Sequence, residues 1–379
     1  MITWTAQQQE LRDAVVALGP QLSEGHVTDD RNHEFPRSKW KLLARTGLFA
    51  LPFAAEWGGL GQDLLTTMYV LEGLGYACRD GGLSFSASTH LASTGTPVSR
   101  FGSAEVKSRY MQGICEGDLI GAHAITEPSA GSDAMAMRTT AVLDGDVYVL
   151  DGSKAFVSNG PIADLIVVYA RTESAGSARA TTAFVVERDT PGLQFGGPID
   201  KMGLRTSPMC ELFLDNCRVP VANVLGRLGS GFFVLDYVMK REILYSFIIN
   251  VGEMQHRFEK VVEYAKIREQ FGRKIGSNQA VSSQIVDMKI GIETARMWLY
   301  ETAVKLSRSN DVTIDIAISK LITSRNALST ALSAVQVFGA YGYMTEHGLE
   351  QDIRNAVAGT IYSGTTEVQY SRVAAMLGL

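Results

Sequence analysis

Hydrophobic spacing changes twice along this chain, and that double change limits the fold more than any other feature. Residues 6 to about 118 carry apolar side chains three and four apart, most clearly in 7–22, 64–78 and 104–116. That is the spacing of amphipathic helices. From about 120 to 222 the signal turns to short β-type runs broken by turn residues: Tyr148-Val149-Leu150, 165–169, 182–186 and Leu212-Phe213-Leu214. Asp144-Gly145-Asp146 reads as a hairpin turn between Ala141-Val142-Leu143 and the run starting at Val147, and Pro191-Gly192 as another turn. From Gly229 the helical spacing returns. It predicts one very long helix over 232–268, then helices over 278–307, 312–339 and 366–377.

Helices, then β, then helices is the pattern of an α+β chain. The expected parts are an N-terminal helical domain (1–119), a small β-barrel-like middle domain (120–225) and a C-terminal four-helix bundle (226–379). A doubly wound dinucleotide fold needs strands alternating with helices and is excluded. Gly226, Gly229 and Gly231 therefore read as a hinge before a helix, not as a phosphate loop.

Bulk properties narrow the function. The 379 residues are 46% hydrophobic and 20% charged, with a net charge of −5 and the two signs mixed. No basic block points to nucleic acid. No apolar run approaches the roughly 20 residues of a membrane span. The N-terminus is polar and lacks the apolar core of a signal peptide. Cys78, Cys115, Cys210 and Cys217 show neither disulfide nor zinc spacing, and the six histidines form no metal-binding pair. The expectation is a cytoplasmic protein without a metal.

Four short segments carry the chemistry. Ala124-Ile125-Thr126-Glu127-Pro128-Ser129-Ala130-Gly131-Ser132-Asp133 packs hydroxyls, glycine-permissive turns and backbone N–H groups into ten residues, which suits an anionic, hydrogen-bonding ligand. Lys154-Ala155-Phe156-Val157-Ser158-Asn159-Gly160 follows. Near the C-terminus come Gln336-Val337-Phe338-Gly339-Ala340-Tyr341-Gly342 and Ile361-Tyr362-Ser363-Gly364-Thr365-Thr366-Glu367. Together and in this order they resemble the acyl-CoA dehydrogenase family, over essentially the whole chain.

The resemblance implies FAD as cofactor and the α,β-dehydrogenation of an acyl thioester. It places Thr126 at the flavin ring, Ser132 at the pyrophosphate, Ser158 near flavin N5, and Phe156 beside the ring in place of the usual tryptophan. A phenyl ring can cover a flavin but offers no N–H donor. Arg268, Gln270 and Phe271, in Arg268-Glu269-Gln270-Phe271-Gly272, match the segment that reaches the FAD of a neighbouring subunit. Gln336 and Gly339 match a glycine-rich turn on that same cofactor, and Thr365 belongs to the final Gly-Thr. A site shared in this way implies a homo-oligomer, commonly a homotetramer.

The reaction removes a proton from the α-carbon while a hydride leaves the β-carbon for flavin N5. It needs a buried carboxylate opposite the ring, its pKa raised so that it can take a carbon-bound proton. Many family members place a glutamate just before the final Gly-Thr. Here that position holds Ser363, and a lone serine is no base at neutral pH. A minority, resembling isovaleryl-CoA dehydrogenase, carry the glutamate on the first long C-terminal helix. Glu242 falls there, eleven residues after Gly231 and 29 before Phe271. Composition alone makes it a surface carboxylate in Lys240-Arg241-Glu242. Register and the missing residue at 363 make it the expected base, with Leu235, Val238, Tyr245 and Ile249 on its helix face. Relatives usually carry arginine just after this glutamate, whereas here Arg241 precedes it. The Ser363 backbone N–H is the expected donor to the thioester carbonyl.

Asn159 to Ala170 and Thr360 to Thr365 resemble a branch from natural-product pathways that includes prolyl-carrier-protein dehydrogenases. The expected substrate is an acyl thioester on a carrier protein or on CoA, with the carrier favoured. The expected electron acceptor is an electron-transfer flavoprotein or oxygen. Two other readings are a flavin oxidase or monooxygenase on the same fold, and an inactive flavin-binding interaction protein.

Overall fold

The computed structural model describes residues 2–172 and 180–379. The first helix does not run through 7–22. It ends at Val16 and restarts as Gly19–Ser23, with Pro20 in the new first turn. Proline lacks an N–H and clashes with the preceding turn, so it starts helices and does not continue them. The N-terminal region then builds Leu64–Ala77, capped by Asp63, which accepts the Thr66 N–H at 2.7 Å. Gly81–Thr89 and Thr96–Phe101 follow, and Ala104–Glu116 closes this part. Between the middle two, His90–Gly95 is a π-helix. Its wider turn re-aims the side chains that follow it, and such segments concentrate at functional sites.

The middle region is one eight-stranded sheet. Its strands are β1 (Gly121–Ala124), β2 (Thr140–Asp144), β3 (Val147–Ser158), β4 (Leu165–Thr172), β5 (Thr181–Glu187), β6 (Leu193–Phe195), β7 (Met209–Pro220) and β8 (Val224–Leu225). Their order is β6-β7-β3-β2-β4-β5-β8, with β1 parallel alongside β4. β2 and β3 form the expected hairpin, Asp144 opposite Val147 across Gly145-Asp146. β3 slips register against β7 between Lys154 and Val157. That bulge holds Phe156 at φ +56, outside the ordinary strand conformation.

Three long helices, Gly231–Ile267, Gln279–Ser307 and Thr313–Phe338, form the C-terminal bundle, with Leu349–Ala358 and Thr366–Met376 packed on the third. The Gly231–Ile267 helix presses closely on Leu64–Ala77. A Cβ on Gly75 would meet the Ile249 carbonyl oxygen at 2.0 Å, and one on Gly252 would meet that of Glu72 at 2.1 Å. Glycine at both positions lets the two backbones touch. One apolar core, including Leu71, Leu91, Val185, Ile248 and Leu299, runs through all three regions. Buried charge ties them further. Arg79 donates to both oxygens of Asp352 at 2.9 and 2.8 Å, and Arg257 donates to the second at 2.9 Å.

Candidate active site

Glu242 lies on the inner face of the Gly231–Ile267 helix, where Val238, Tyr245 and Ile249 are buried as their spacing requires and Leu235 packs against the core. Three other elements converge on it. The π segment supplies Ser93, whose hydroxyl donates to Glu242 Oε2 at 2.6 Å. The turn before the last helix supplies Ser363, whose hydroxyl donates to Oε1 at 2.5 Å. β1 supplies His123, with Nδ1 3.9 Å from Oε2.

Local structure explains each approach. His90 opens the π segment, accepts the Gly121 N–H at Nδ1 (3.1 Å) and donates from Nε2 to the Ile114 carbonyl (2.9 Å). This fastens β1 to the segment that carries Ser93. Ser363 sits at φ +55, a left-handed conformation that costs a non-glycine residue about 1–3 kcal/mol. Gln369 holds it there, donating to the Ser363 and Gly364 carbonyls at 3.0 and 3.3 Å. Arg241 does not touch Glu242. Its guanidinium lies 3.5 Å over the Tyr237 ring and donates to the Tyr237 carbonyl. Two hydroxyls thus hold this glutamate without a neighbouring guanidinium.

Burial pushes the Glu242 carboxyl above its ordinary range, and the Ser363 and Ser93 hydroxyls partly offset that. Burial pushes the His123 imidazole down to about 3. It is therefore neutral, and its approach to Glu242 is a contact without an ion pair. The Tyr169 ring packs edge-on against His123 at 5.2 Å, its hydroxyl pushed up first by burial and then by Glu242. A carboxylate whose pKa is raised among neutral neighbours is a stronger base, better able to take a proton from a weakly acidic carbon.

The remaining predicted residues fall into two groups. Phe156 and Ser158 lie at the C-terminal end of β3, which the Ala155 N–H ties to the Thr126 carbonyl at 2.8 Å. Phe156 is 61% exposed there. Ser132 lies exposed on the loop that continues from Thr126. Thr365 caps the final helix, its hydroxyl accepting the Val368 N–H. The second group lies at the far end of the long helix. The Arg268 guanidinium stands 5.9 Å from the Tyr341 ring centre, just beyond the end of the Thr313–Phe338 helix, whose last turn carries Gln336 and whose cap is Gly339. Gly339 adopts φ +61 and ψ −134, open only to glycine. Gln270 is exposed, and Phe271 is 99% exposed.

Models of the acyl-CoA dehydrogenase N-terminal, middle and C-terminal domains match residues 5–118, 122–217 and 229–378. The chain belongs to the acyl-CoA dehydrogenase family. The family's chemistry, FAD-dependent dehydrogenation of an acyl thioester, is the chemistry of this chain. It is 37% identical to an L-prolyl-[peptidyl-carrier protein] dehydrogenase of Pseudomonas fluorescens, over 93% of each chain. It superposes on the prolyl acyl carrier protein oxidase AnaB with a TM-score of 0.96 at 38% identity, covering all of both chains. It superposes equally well, at 34% identity, on the FAD complex of PigA, covering all of this chain and 99% of that one.

The residues present fit the family's cofactor. Phe156 offers an uncovered aromatic ring on a strand whose backbone is bonded to Thr126 and which also carries Ser158, so a planar ring could stack there with hydroxyl-bearing residues on the same segments. Arg268 offers a planar cation for a pyrophosphate. Among the described residues no cluster of His, Cys, Asp or Glu could hold a metal, and no helix is long and apolar enough to cross a membrane.

Sequence reasoning missed Ser93, His123 and Tyr169. Ser93 lies in a run of small residues whose helical phase is reset by the π-helix, so spacing could not have aimed it at Glu242. His123 stands one residue before the Ala124–Asp133 motif. A polar residue entering a strand whose neighbours Ala122 and Ala124 are fully buried was the available signal.

Proposed function

We propose that Glu242 removes the α-proton of an acyl thioester presented on the phosphopantetheine of a carrier protein. The observation that carries this reading is the position of Glu242: largely enclosed, with 16% of its side chain exposed, and held by hydroxyls from two other elements, in a chain whose usual base position holds a serine. When bound, FAD accepts the hydride that leaves the β-carbon. The α-proton goes to Glu242, and the two hydrogens lost account for the new double bond. The neutral surroundings of Glu242 favour the uncharged carboxylic acid that results. The Ser363 backbone N–H is the donor we assign to the thioester carbonyl, which acidifies the α-carbon.

Thr126, Phe156, Ser158 and Thr365 would hold the flavin end and Ser132 the pyrophosphate. Arg268, Gln270, Phe271, Gln336 and Gly339 would serve the cofactor of a neighbouring subunit. The uncovered Phe271 supports such a partner. The enzyme is then a homotetramer of the cytoplasm, acting in a biosynthetic assembly line. The carrier rests on the names of similar proteins.

The test is anaerobic flavin bleaching with one acyl group attached in turn to CoA and to a carrier protein. Bleaching by the carrier-bound form alone supports the reading, and bleaching by CoA alone overturns the carrier. Glu242→Gln should keep its yellow cofactor and fail to bleach. A variant that still bleaches at the wild-type rate removes Glu242 from the mechanism. Admitting air to the reduced enzyme separates transfer to oxygen from transfer to an electron-transfer flavoprotein.

A further inference from the structure

The clamp on Glu242 has an unusual composition. One hydroxyl engages each carboxylate oxygen, from Ser93 on the π-helix and from Ser363 on the terminal turn. Both serines are buried, so water does not compete for them. A backbone N–H or a lysine can only donate, so the proton that the carboxyl takes up would find no acceptor in it. A hydroxyl donates to a carboxylate and, after rotating, accepts from a carboxylic acid. The base of a dehydrogenation passes through both forms in every turnover. Of the titratable groups that face it, His123 from β1, Tyr169 from β4 and Tyr362 from the terminal turn are all neutral over the working range. Burial holds the histidine down to about 3 and both tyrosines well up. Arg241, next to it on its own helix, turns away to Tyr237. None of these three groups therefore titrates alongside Glu242.

We infer that Ser93 and Ser363 are positioning residues that hold Glu242 in one orientation through both of its protonation states. This rests on Glu242 being the base. Ser363 thus occupies the position usual for the catalytic carboxylate and acts through the carboxylate that has moved. It touches Glu242, and the proton moves directly between the substrate carbon and Glu242.

The experiment uses Ser93→Ala and Ser363→Gly, glycine being chosen because it keeps the φ of +55 without strain. The first readout is infrared difference titration of the Glu242 carboxyl band against Glu242→Gln, without substrate. Each hydroxyl bonds the carboxylate more strongly than it bonds the acid, so each variant should raise the protonation midpoint by roughly one pH unit, the excess lost with one hydrogen bond to an ionised group. The second readout is the pH profile of the FAD-loaded enzyme. Its acid limb should move up by the same amount, with kcat reduced and KM little changed. Unmoved midpoints in both variants overturn the clamp. So does a Ser363→Gly variant as inactive as Glu242→Gln with its midpoint unmoved, since Ser363 would then itself receive the α-proton. The infrared titration needs no turnover, so it stands even if no acyl thioester reduces the flavin.

Discussion

Glu242 and Arg268 belong to one helix, Arg268 standing at its C-terminal cap, about 39 Å along the axis from Glu242 at 1.5 Å per residue. A rigid helix cannot bring both to one cofactor. If each serves an FAD, the two cofactors differ, and every site needs residues from two chains. Glu242→Gln and Arg268→Ala should each abolish or cripple turnover alone. Co-refolded or co-expressed, they should recover activity, because some mixed sites take an intact Glu242 from one chain and an intact Arg268 from another. Statistical pairing in a dimer restores roughly a quarter of wild-type sites. Mixing without recovery would mean that Arg268 does not complete a neighbour's site.

The direction of the Glu242 shift sets the acid side of the pH profile. Its folded pKa is raised above the ordinary 4.5, so the active carboxylate is lost as pH falls while exposed carboxylates remain ionised. kcat/KM should decline on the acid side with a midpoint clearly above 4.5. That shift also has a sign for stability. The protonated form is preferred in the folded state, so this group favours folding below its unfolded pKa, and the contribution disappears as pH rises through the folded one. A stopped-flow pH series at thioester concentrations well below KM reads the first effect. A profile flat down to pH 4.5 contradicts it.

Phe156 should matter to cofactor retention more than to folding. It is 61% exposed on a bulge, so removing its ring takes little from the core. Aromatic stacking contributes about 0.5–1.5 kcal/mol beyond area burial. Phe156→Ala should therefore weaken FAD binding by up to about tenfold, read by fluorescence titration of stripped protein, with its melting temperature nearly unchanged. An unaltered affinity places the flavin elsewhere.

The three-part order of the fold was legible because period 3.6 and period 2 are local signals that survive without tertiary information. The 144–147 hairpin and the long helix were legible for the same reason. The first helix was misread because the spacing continued across Pro20, where the backbone could not. At the site, Glu242 was legible from register and from the serine at 363, but its partners were not. A π-helix has no simple periodic signature, so Ser93 could not be phased. The Ser363 side chain was set aside because a lone serine is no base, and the carboxylate beside it becomes visible only when residues 121 apart in sequence meet. The Arg79–Asp352–Arg257 network was unread because its members lie on two helices and one connection, far apart in sequence, with nothing in their spacing to pair them.

Asp352 makes that network testable. Its carboxylate takes hydrogen bonds from Arg79 and Arg257 deep between the N-terminal region and the bundle. Burial alone would raise its pKa, yet the two guanidiniums outweigh that and hold it down to about 2, below its ordinary 3.8. The sign follows directly. A depressed folded pKa contributes stability that is fully present above the unfolded value, near 3.8, and is lost as pH falls toward 2. Asp352→Asn keeps the shape but leaves the buried Arg257 and the largely enclosed Arg79 without their counter-charge, and breaking a buried pair typically costs about 3–5 kcal/mol. Denaturant unfolding at pH 7 should show a loss of that order if unfolding is reversible, or a matching fall in melting temperature. Between pH 4 and 2 the gap between wild type and variant should close, because only the wild type has a carboxylate left to protonate. A gap that stays constant over that range would show that the carboxylate charge is not what binds these helices together.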